Sequence, residues 1–179
     1  MRARRPPLHS RKYNALVLTL RKYQPQDFER LLEIDTACFV QGIAYSEKEM
    51  RYFLRQPSSI KLVGERTVQG GKNPRENERE IWGFIIADHF RPRRSQQCMG
   101  RIITIDVLPE ARRSGLGGRL LDAAEDEIKK LGCSHVSLET AVDNLGALRF
   151  YKKHGYTGLK ILPRYYLNSV DALLMGKAL

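Results

Sequence analysis

Three parts of this 179-residue chain carry residue types at spacings that can do chemistry. The first is Arg112-Arg113-Ser114-Gly115-Leu116-Gly117-Gly118-Arg119, a turn between a β-branched run that ends at Pro109 and an apolar helical stripe. A helix start has backbone N–H groups without partners, and glycine removes the Cβ that would keep a ligand at a distance. With cations around it, such a turn is a phosphate or pyrophosphate site. Arginines at a helix start otherwise oppose the macrodipole by roughly a few tenths of a kcal/mol, a conflict that an anion relieves. The turn has neither the Gly-x-Gly-x-x-Gly spacing of a dinucleotide fold nor the Gly-Lys-Ser/Thr of a P-loop. The second part is Glu139, flanked by Leu138 and Thr140 in an otherwise uncharged run. A carboxylate there is either paired structurally or held beside an apolar site that raises its pKa and fits it for proton transfer. The third is Tyr151, in the helical segment opened by Asn144. Read alone, it is a core aromatic whose hydroxyl finds a partner.

Period and punctuation mark out the elements that must hold these residues. The alternating run 15–20 reads as a first strand. Pro25 opens a helix that carries Phe28, Leu31, Leu32 and Asp35 toward Cys38 and Phe39. Ser46 and Glu49 have capping-box spacing ahead of Met50, Phe53 and Leu54, and Pro57 stops that second helix. Residues 60–65 and 81–88 read as strands across a turn-rich polar loop, and 99–107 as the strand feeding the glycine turn. The next helix lines up Leu116, Leu120, Leu121, Ala124, Ile128 and Leu131 and ends at Gly132. A strand at 135–141 and a helix at 144–153 closed by Gly155 follow. Strands at 157–162 and 171–177 finish the chain, separated by residues 163–168. The order β-α-α-β-β-β-α-β-α-β-β gives a mixed α/β domain, not an alternating doubly wound sheet.

Composition narrows the class. Hydrophobic residues make up 42 % of the chain, enough for one domain with a real core. We assign residues 14–179 to that domain and 1–13 to a basic tail bearing Arg2, Arg4, Arg5, Arg11 and Lys12. The net charge of +11 points to an anionic partner. The tail reads either as a solvated segment or as a contact for RNA or a ribosome. No apolar run approaches the length of a membrane span, and none forms a signal-peptide core. Cys38, Cys98 and Cys133 are an odd, scattered set, which argues against a disulfide framework and leads us to expect a reducing cytoplasm. No Cys or His spacing suits a metal, so none is expected.

The turn Arg112-x-x-Gly115-x-Gly117 resembles the acetyl-CoA signature Arg/Gln-x-x-Gly-x-Gly/Ala of the GNAT superfamily of N-acetyltransferases. Downstream, Asn144-Leu-Gly-Ala-Leu-Arg-Phe-Tyr-Lys-Lys-His-Gly-Tyr156 is similar to that family's Asn…Ala…Phe-Tyr…Gly-Phe/Tyr segment, and the two motifs stand in the family's order. The resemblance runs from about Ala15 to the C-terminus. It implies the GNAT fold, a mixed, mostly antiparallel sheet flanked by helices, and acetyl-CoA as co-substrate. It also implies that the pantetheine lies along Ile105, Asp106 and Val107 and the pyrophosphate on the amides of Arg113, Ser114, Gly115, Leu116, Gly117 and Gly118. Arg112 belongs to the same signature, and Asn144 would bind the pantetheine or its amide.

Leu138-Glu139 ahead of Asn144 and Tyr151, with Tyr165-Tyr166 and Asp171-Ala172…Met175 at the end, resembles the ribosomal-protein-alanine type of N-terminal acetyltransferase more closely. That likeness implies direct attack without an acyl-enzyme, with Glu139 as general base and Tyr151 as general acid toward the departing thiolate. The Val107 amide would meet the developing oxyanion. Phe39, Tyr45, Tyr165 and Tyr166 are candidates for the walls that hold a peptide. Thr140-Ala141 and Gln41-Gly-Ile-Ala-Tyr45 depart from the subgroup's usual residues, which bears on the acceptor and not on the transfer. The expected acceptor is a protein or peptide N-terminal α-amine, ribosomal proteins included. The alternatives are a small-molecule or lysine amine, a catalytically silent acyl-CoA-binding module, and a basic nucleic-acid-binding domain.

Overall fold

The β-branched and aromatic runs assemble into one seven-stranded sheet in the order β1-β2-β3-β4-β5-β7-β6. The structure is a computed structural model that describes residues 16–39, 43–68, 79–92 and 97–179. Its elements are β1 (Leu16–Lys22), α1 (Phe28–Cys38), α2 (Glu47–Arg55), β2 (Ile60–Val68), β3 (Arg79–Phe90) and β4 (Cys98–Val107). They continue with α3 (Leu116–Lys130), β5 (Cys133–Ala141), α4 (Leu145–Lys153), β6 (Thr157–Tyr166) and β7 (Val170–Ala178). This is the expected element order. The basic segment 1–13 lies outside the described residues.

Each helix begins and ends for a local reason. Ser46 and Glu49 close a capping box on α2, each accepting from the other's backbone N–H. The Asn144 side chain accepts from the Ala147 N–H at 3.1 Å and caps α4. Gly132 (φ 81°) and Gly155 (φ 88°) follow α3 and α4 in the left-handed region. The α3 stripe of Leu116, Leu120, Leu121, Ala124 and Ile128 is buried, packing against β2, β3, β4 and β5. Phe28, Leu31, Ile34 and Asp35 form the buried stripe of α1 against β3 and β4. Among the described residues no helix is long and apolar enough to cross a membrane. None of their His, Cys, Asp or Glu side chains cluster in threes to hold a metal ion.

All neighbouring strands are antiparallel except β4 and β5, which α3 joins by a crossover into a parallel pair. That ladder covers Cys98 to Arg101 against Cys133 to Ser137 and then stops. Beyond it β4 stays paired to β3, and β5 to β7. The two strands therefore diverge, and β4 has an open edge toward Val107.

Two expectations are corrected. Cys98 and Cys133 are joined as a disulfide, leaving Cys38 free. The scattered spacing concealed this, because the crossover returns the chain so that the first residues of two parallel strands stand side by side. Residues 163–166 are not a connection but the end of β6. Its ladder with β7 slips between Leu162 and Tyr166, and Arg164 has φ 53°. Proline is tolerated there because β6 is the sheet's edge and a bulge needs no ladder donor.

Candidate active site

The glycine turn is built as its sequence demands. After Pro109–Ala111 the chain turns at Arg113 (φ 65°) and Gly115 (φ 87°), both left-handed, and α3 starts at Leu116. A non-glycine residue held at positive φ is the kind of local strain that collects at ligand clamps. The first helical bond is Arg119 N–H to Gly115 O at 3.1 Å, so the Gly117 and Gly118 amides have no intrahelical partner. The Leu116 N–H reaches Ser114 Oγ at 3.3 Å, and its side chain is buried, so only its backbone serves the turn. At Gly118 a Cβ would stand 3.1 Å from His154 Cε1, so glycine lets the end of α4 close over the helix start. Arg113 and Ser114 are exposed. Arg112 folds back, its Nε donating to Val107 O at 3.2 Å. Arg119 points elsewhere and donates to Leu18 O at 2.7 Å, fastening β1 instead of lining the turn.

The open edge of β4 leads into this turn. Leu108 N–H still bonds to Trp82 O on the β3 side. Successive strand residues direct their backbone groups to opposite edges, so the N–H and C=O of Val107 face the open side. Its carbonyl already accepts from Arg112 Nε and from Cys38 Sγ at 3.3 Å, while the N–H remains as a donor beside the cleft. Ile105 is half-buried on this stretch, but the Asp106 side chain points into the interior and is 1 % exposed. Burial, followed by the Asp106 charge, pushes the Cys38 thiol up to about 11. A thiol held protonated is a poor nucleophile.

Where β4 and β5 part, the catalytic candidates gather. Glu139 Oε2 accepts from Arg101 Nε at 3.1 Å and from Arg101 Nη2 at 3.0 Å, and Nη2 also donates to the Tyr165 hydroxyl at 3.3 Å. Burial works against the Arg101 charge, Glu139 outweighs it, and the guanidinium pKa stands above its usual value. Of the two readings open for Glu139, the structure therefore shows pairing, with the carboxylate just past the end of the β4–β5 ladder. The Tyr166 hydroxyl donates to Glu139 O at 3.3 Å, and burial, then the charges of Tyr165 and Glu139, push its phenol up to about 12. Tyr151 is buried among Phe150 and Tyr156 rings. Burial first, then Asp106 and Tyr166, drive its phenol well above the ordinary tyrosine range. Tyr45 is driven the same way by burial, Asp106, Tyr166 and Asp35; its hydroxyl donates to Ile103 O at 3.4 Å. These mutual influences link Tyr45 and Tyr151 to Tyr166, and Tyr166 to Arg101 and Glu139, as neighbours.

The other candidates fall nearby. Phe39 is half-buried at the end of α1, while residues 40–42 of the expected wall lie outside the described residues. Tyr165 is exposed and stacks edge-on to Tyr166 at 5.0 Å. Asn144 spends its Oδ1 on the α4 cap, leaving its amide NH2 to donate. Sequence reasoning missed Arg101. Its signal was present: Arg101 is the one charge in 98–105 as Glu139 is in 135–141, and opposite lone charges on two apolar strands pair when the strands do.

A seven-stranded sheet that parts at β4 and β5 beside a glycine-built helix start offers an open strand edge leading to an anion site. The acetyltransferase (GNAT) family model matches residues 28–156, and the chain belongs to that family. It is 32 % identical over 128 residues to "N-alpha-acetyltransferase 30" of Schizosaccharomyces pombe, covering 72 % of this chain and 77 % of that protein. It is 30 % identical over 155 residues to an "N-alpha-acetyltransferase" of Sulfurisphaera tokodaii, covering 84 % and 90 %. In fold it matches a chain of the NatC complex solved with a Gag peptide and CoA, at a TM-score of 0.74 and 24 % identity, over 90 % of this chain and 98 % of that one. The protein is an N-acetyltransferase whose acetyl donor is acetyl-CoA.

Proposed function

We propose that this enzyme acetylates protein N-terminal α-amines by direct attack on acetyl-CoA. The observation that carries the reading is the position of the Glu139 carboxylate where β4 and β5 part, with Tyr166 bonded to the Glu139 main chain and Tyr151 a neighbour of Tyr166. In this reading the donor lies along Ile105–Val107 as an added strand, its pyrophosphate on the amides from Arg113 to Gly118. The open edge and the unpartnered Gly117 and Gly118 amides suit it. Glu139 takes the proton from the amine, and the nitrogen bonds to the thioester carbon. The Val107 N–H bonds to the carbonyl oxygen as charge builds there, and the carbon–sulfur bond breaks.

Tyr151 assists the leaving group, and its acidity sets how. An ordinary thiol ionises near ~8.5, below any phenol raised above 10, so full proton transfer from Tyr151 to the thiolate is uphill. The hydroxyl serves as a hydrogen-bond donor to the thiolate in the transition state. Support for the acceptor comes from the N-alpha-acetyltransferases at 32 % and 30 % identity. The net charge of +11 suits work near the phosphate-rich ribosome, where N-termini emerge. Mass spectrometry of the purified enzyme with acetyl-CoA, peptides with free or blocked N-termini, and polyamines tests the reading. Acetyl should appear on free N-termini; labelling confined to lysines or polyamines overturns it.

A further inference from the structure

Two carboxyl groups outside the proposed catalytic pair are buried beside the site. Asp35, on the inner stripe of α1, is 0 % exposed, and Asp106, on β4, is 1 % exposed. Each spends one oxygen on a donor. Asp35 Oδ2 accepts the Tyr45 N–H at 2.7 Å, and Asp106 Oδ1 accepts the Thr104 hydroxyl at 3.0 Å. Their other oxygens, Asp35 Oδ1 and Asp106 Oδ2, are buried with no donor among the described residues. The two carboxyl groups neighbour each other, and each bears on the other's acidity.

Two ionised carboxylates so placed repel each other and leave two buried acceptors empty. A single proton held between them makes one group a donor and satisfies both oxygens at once. The surroundings divide the roles. Asp35 faces Asp106 of β4 and Glu49 of α2, while Asp106 faces Asp35 and, from beyond Pro109, Arg112; Cys38, Tyr45 and Tyr151 also feel its charge. Burial raises both groups, Asp35 to about 6 and Asp106 well above the usual carboxylate range. Burial favours one proton on the pair, and the Tyr45 N–H bonded to Asp35 Oδ2 favours leaving the charge on Asp35.

We propose that Asp35 and Asp106 are a proton-sharing positioning pair that fastens the segment entering α2 at Tyr45 to β4 beside Val107, and so sets the acceptor wall against the acetyl donor. Tyr45 is pinned at both ends, by its amide to Asp35 and by its hydroxyl to the carbonyl of Ile103, the residue that bulges out of the β3–β4 ladder. The positioning role rests on Tyr45 being part of the acceptor wall. The shared proton does not.

Asp35→Asn rebuilds the pair with the same total charge: its amide oxygen accepts the Tyr45 N–H and its NH2 donates to an ionised Asp106. Asp35→Ala removes both links. With a free-N-terminus peptide, Asp35→Ala should raise acceptor KM about tenfold, the loss of one charge-assisted hydrogen bond, and leave acetyl-CoA affinity unchanged. Asp35→Asn should restore KM. The ratio of wild-type to Asp35→Asn KM should rise as pH falls through about 6, since only in the wild type does the group holding the Tyr45 N–H then lose its charge. Taking the ratio cancels the titration of the acceptor. A flat ratio, or an Asp35→Asn enzyme as impaired as Asp35→Ala, overturns the proposal. If Asp35→Ala does not fold, the pH ratio decides alone. Two measurements are independent of any acceptor: the infrared carbonyl band of a protonated carboxyl, and hydrogen exchange at the Tyr45 amide. A wild-type band and a protected amide support the pair even if no N-terminus is acetylated, an outcome that removes the acceptor reading alone. No band at neutral pH overturns the pair itself.

Discussion

Replacing Glu139 by glutamine separates a catalytic carboxylate from a structural one, because the two roles carry different costs. The structural cost is bounded by the ion pair. Arg101 is 40 % exposed at its side chain and Glu139 16 %, so solvent screens the pair and its worth is about 1 kcal/mol or less. Both Arg101 bonds fall on Oε2, and a glutamine carbonyl oxygen can keep accepting them. Shape, packing and the Tyr166 bond to the main chain are unchanged by the substitution. The catalytic cost is larger: a positioned general base supplies about a hundredfold or more, at least ~2.7 kcal/mol of barrier. Glu139→Gln should therefore lose at most ~1 kcal/mol of stability in denaturant titration and at least about a hundredfold in kcat with a free-N-terminus peptide. Acetyl-CoA affinity by calorimetry should hold, since Glu139 bonds to Arg101 and Tyr166 and to none of the residues assigned to the cofactor. Turnover within about threefold of the wild type would refute the base assignment. A fall in cofactor affinity matching the fall in turnover would show the carboxylate to be holding the site's shape.

Tyr151→Phe should reduce kcat by about tenfold or more and leave acetyl-CoA affinity intact. Because burial keeps that phenol protonated, the wild-type pH–rate profile should show no alkaline limb that the variant lacks. Gly115→Ala tests the turn. Nothing lies within 4 Å of the added Cβ, so the cost is the left-handed backbone alone, about 1–2 kcal/mol, read as a fall of roughly 2–8 °C in Tm with weakened acetyl-CoA binding. Asp35 leaves a mark on stability against pH. Its folded pKa of about 6 lies above the unfolded value near ~3.9, so the folded state binds the extra proton between them. The stabilisation is complete below about 3.9 and is lost as pH rises through about 6, a difference of ~3 kcal/mol at most. Denaturant titrations should show that slope in the wild type and a smaller one in Asp35→Asn.

The elements were legible because their signals are local. The Ser46–Glu49 box, the Gly132 and Gly155 stops and the α3 stripe each lie within one helix, and the structure keeps all of them. The glycine turn and Glu139 were visible for the same reason, one as a spacing and the other as a lone charge. What stayed hidden depends on which strands become neighbours. Arg101 meets Glu139 across 38 residues, Cys98 meets Cys133 across 35, and Asp35 meets Asp106 only when α1 packs on β4. The end of β6 misled for a different reason. Pro163 argues against a central strand but is tolerated on an edge, and only the sheet order shows that β6 is one.

One connection accounts for most of the site. A parallel neighbour must be reached by a crossover, so the chain leaving β4 enters α3 and returns as β5. That places the start of α3, with its free amides, at the same end of the sheet as Val107. It also brings Glu139 to the corresponding end of β5. Because the β4–β5 ladder stops after Arg101, the strands open there, and the arginine that ends the ladder is the one that holds Glu139. The residues past the opening then have different duties. Val107 presents backbone to the open edge, Asp106 turns its carboxyl inward beside Asp35, and Asp35 in turn holds the Tyr45 N–H. The early end of that ladder is thus the feature on which the proposed donor edge and the proposed base both depend.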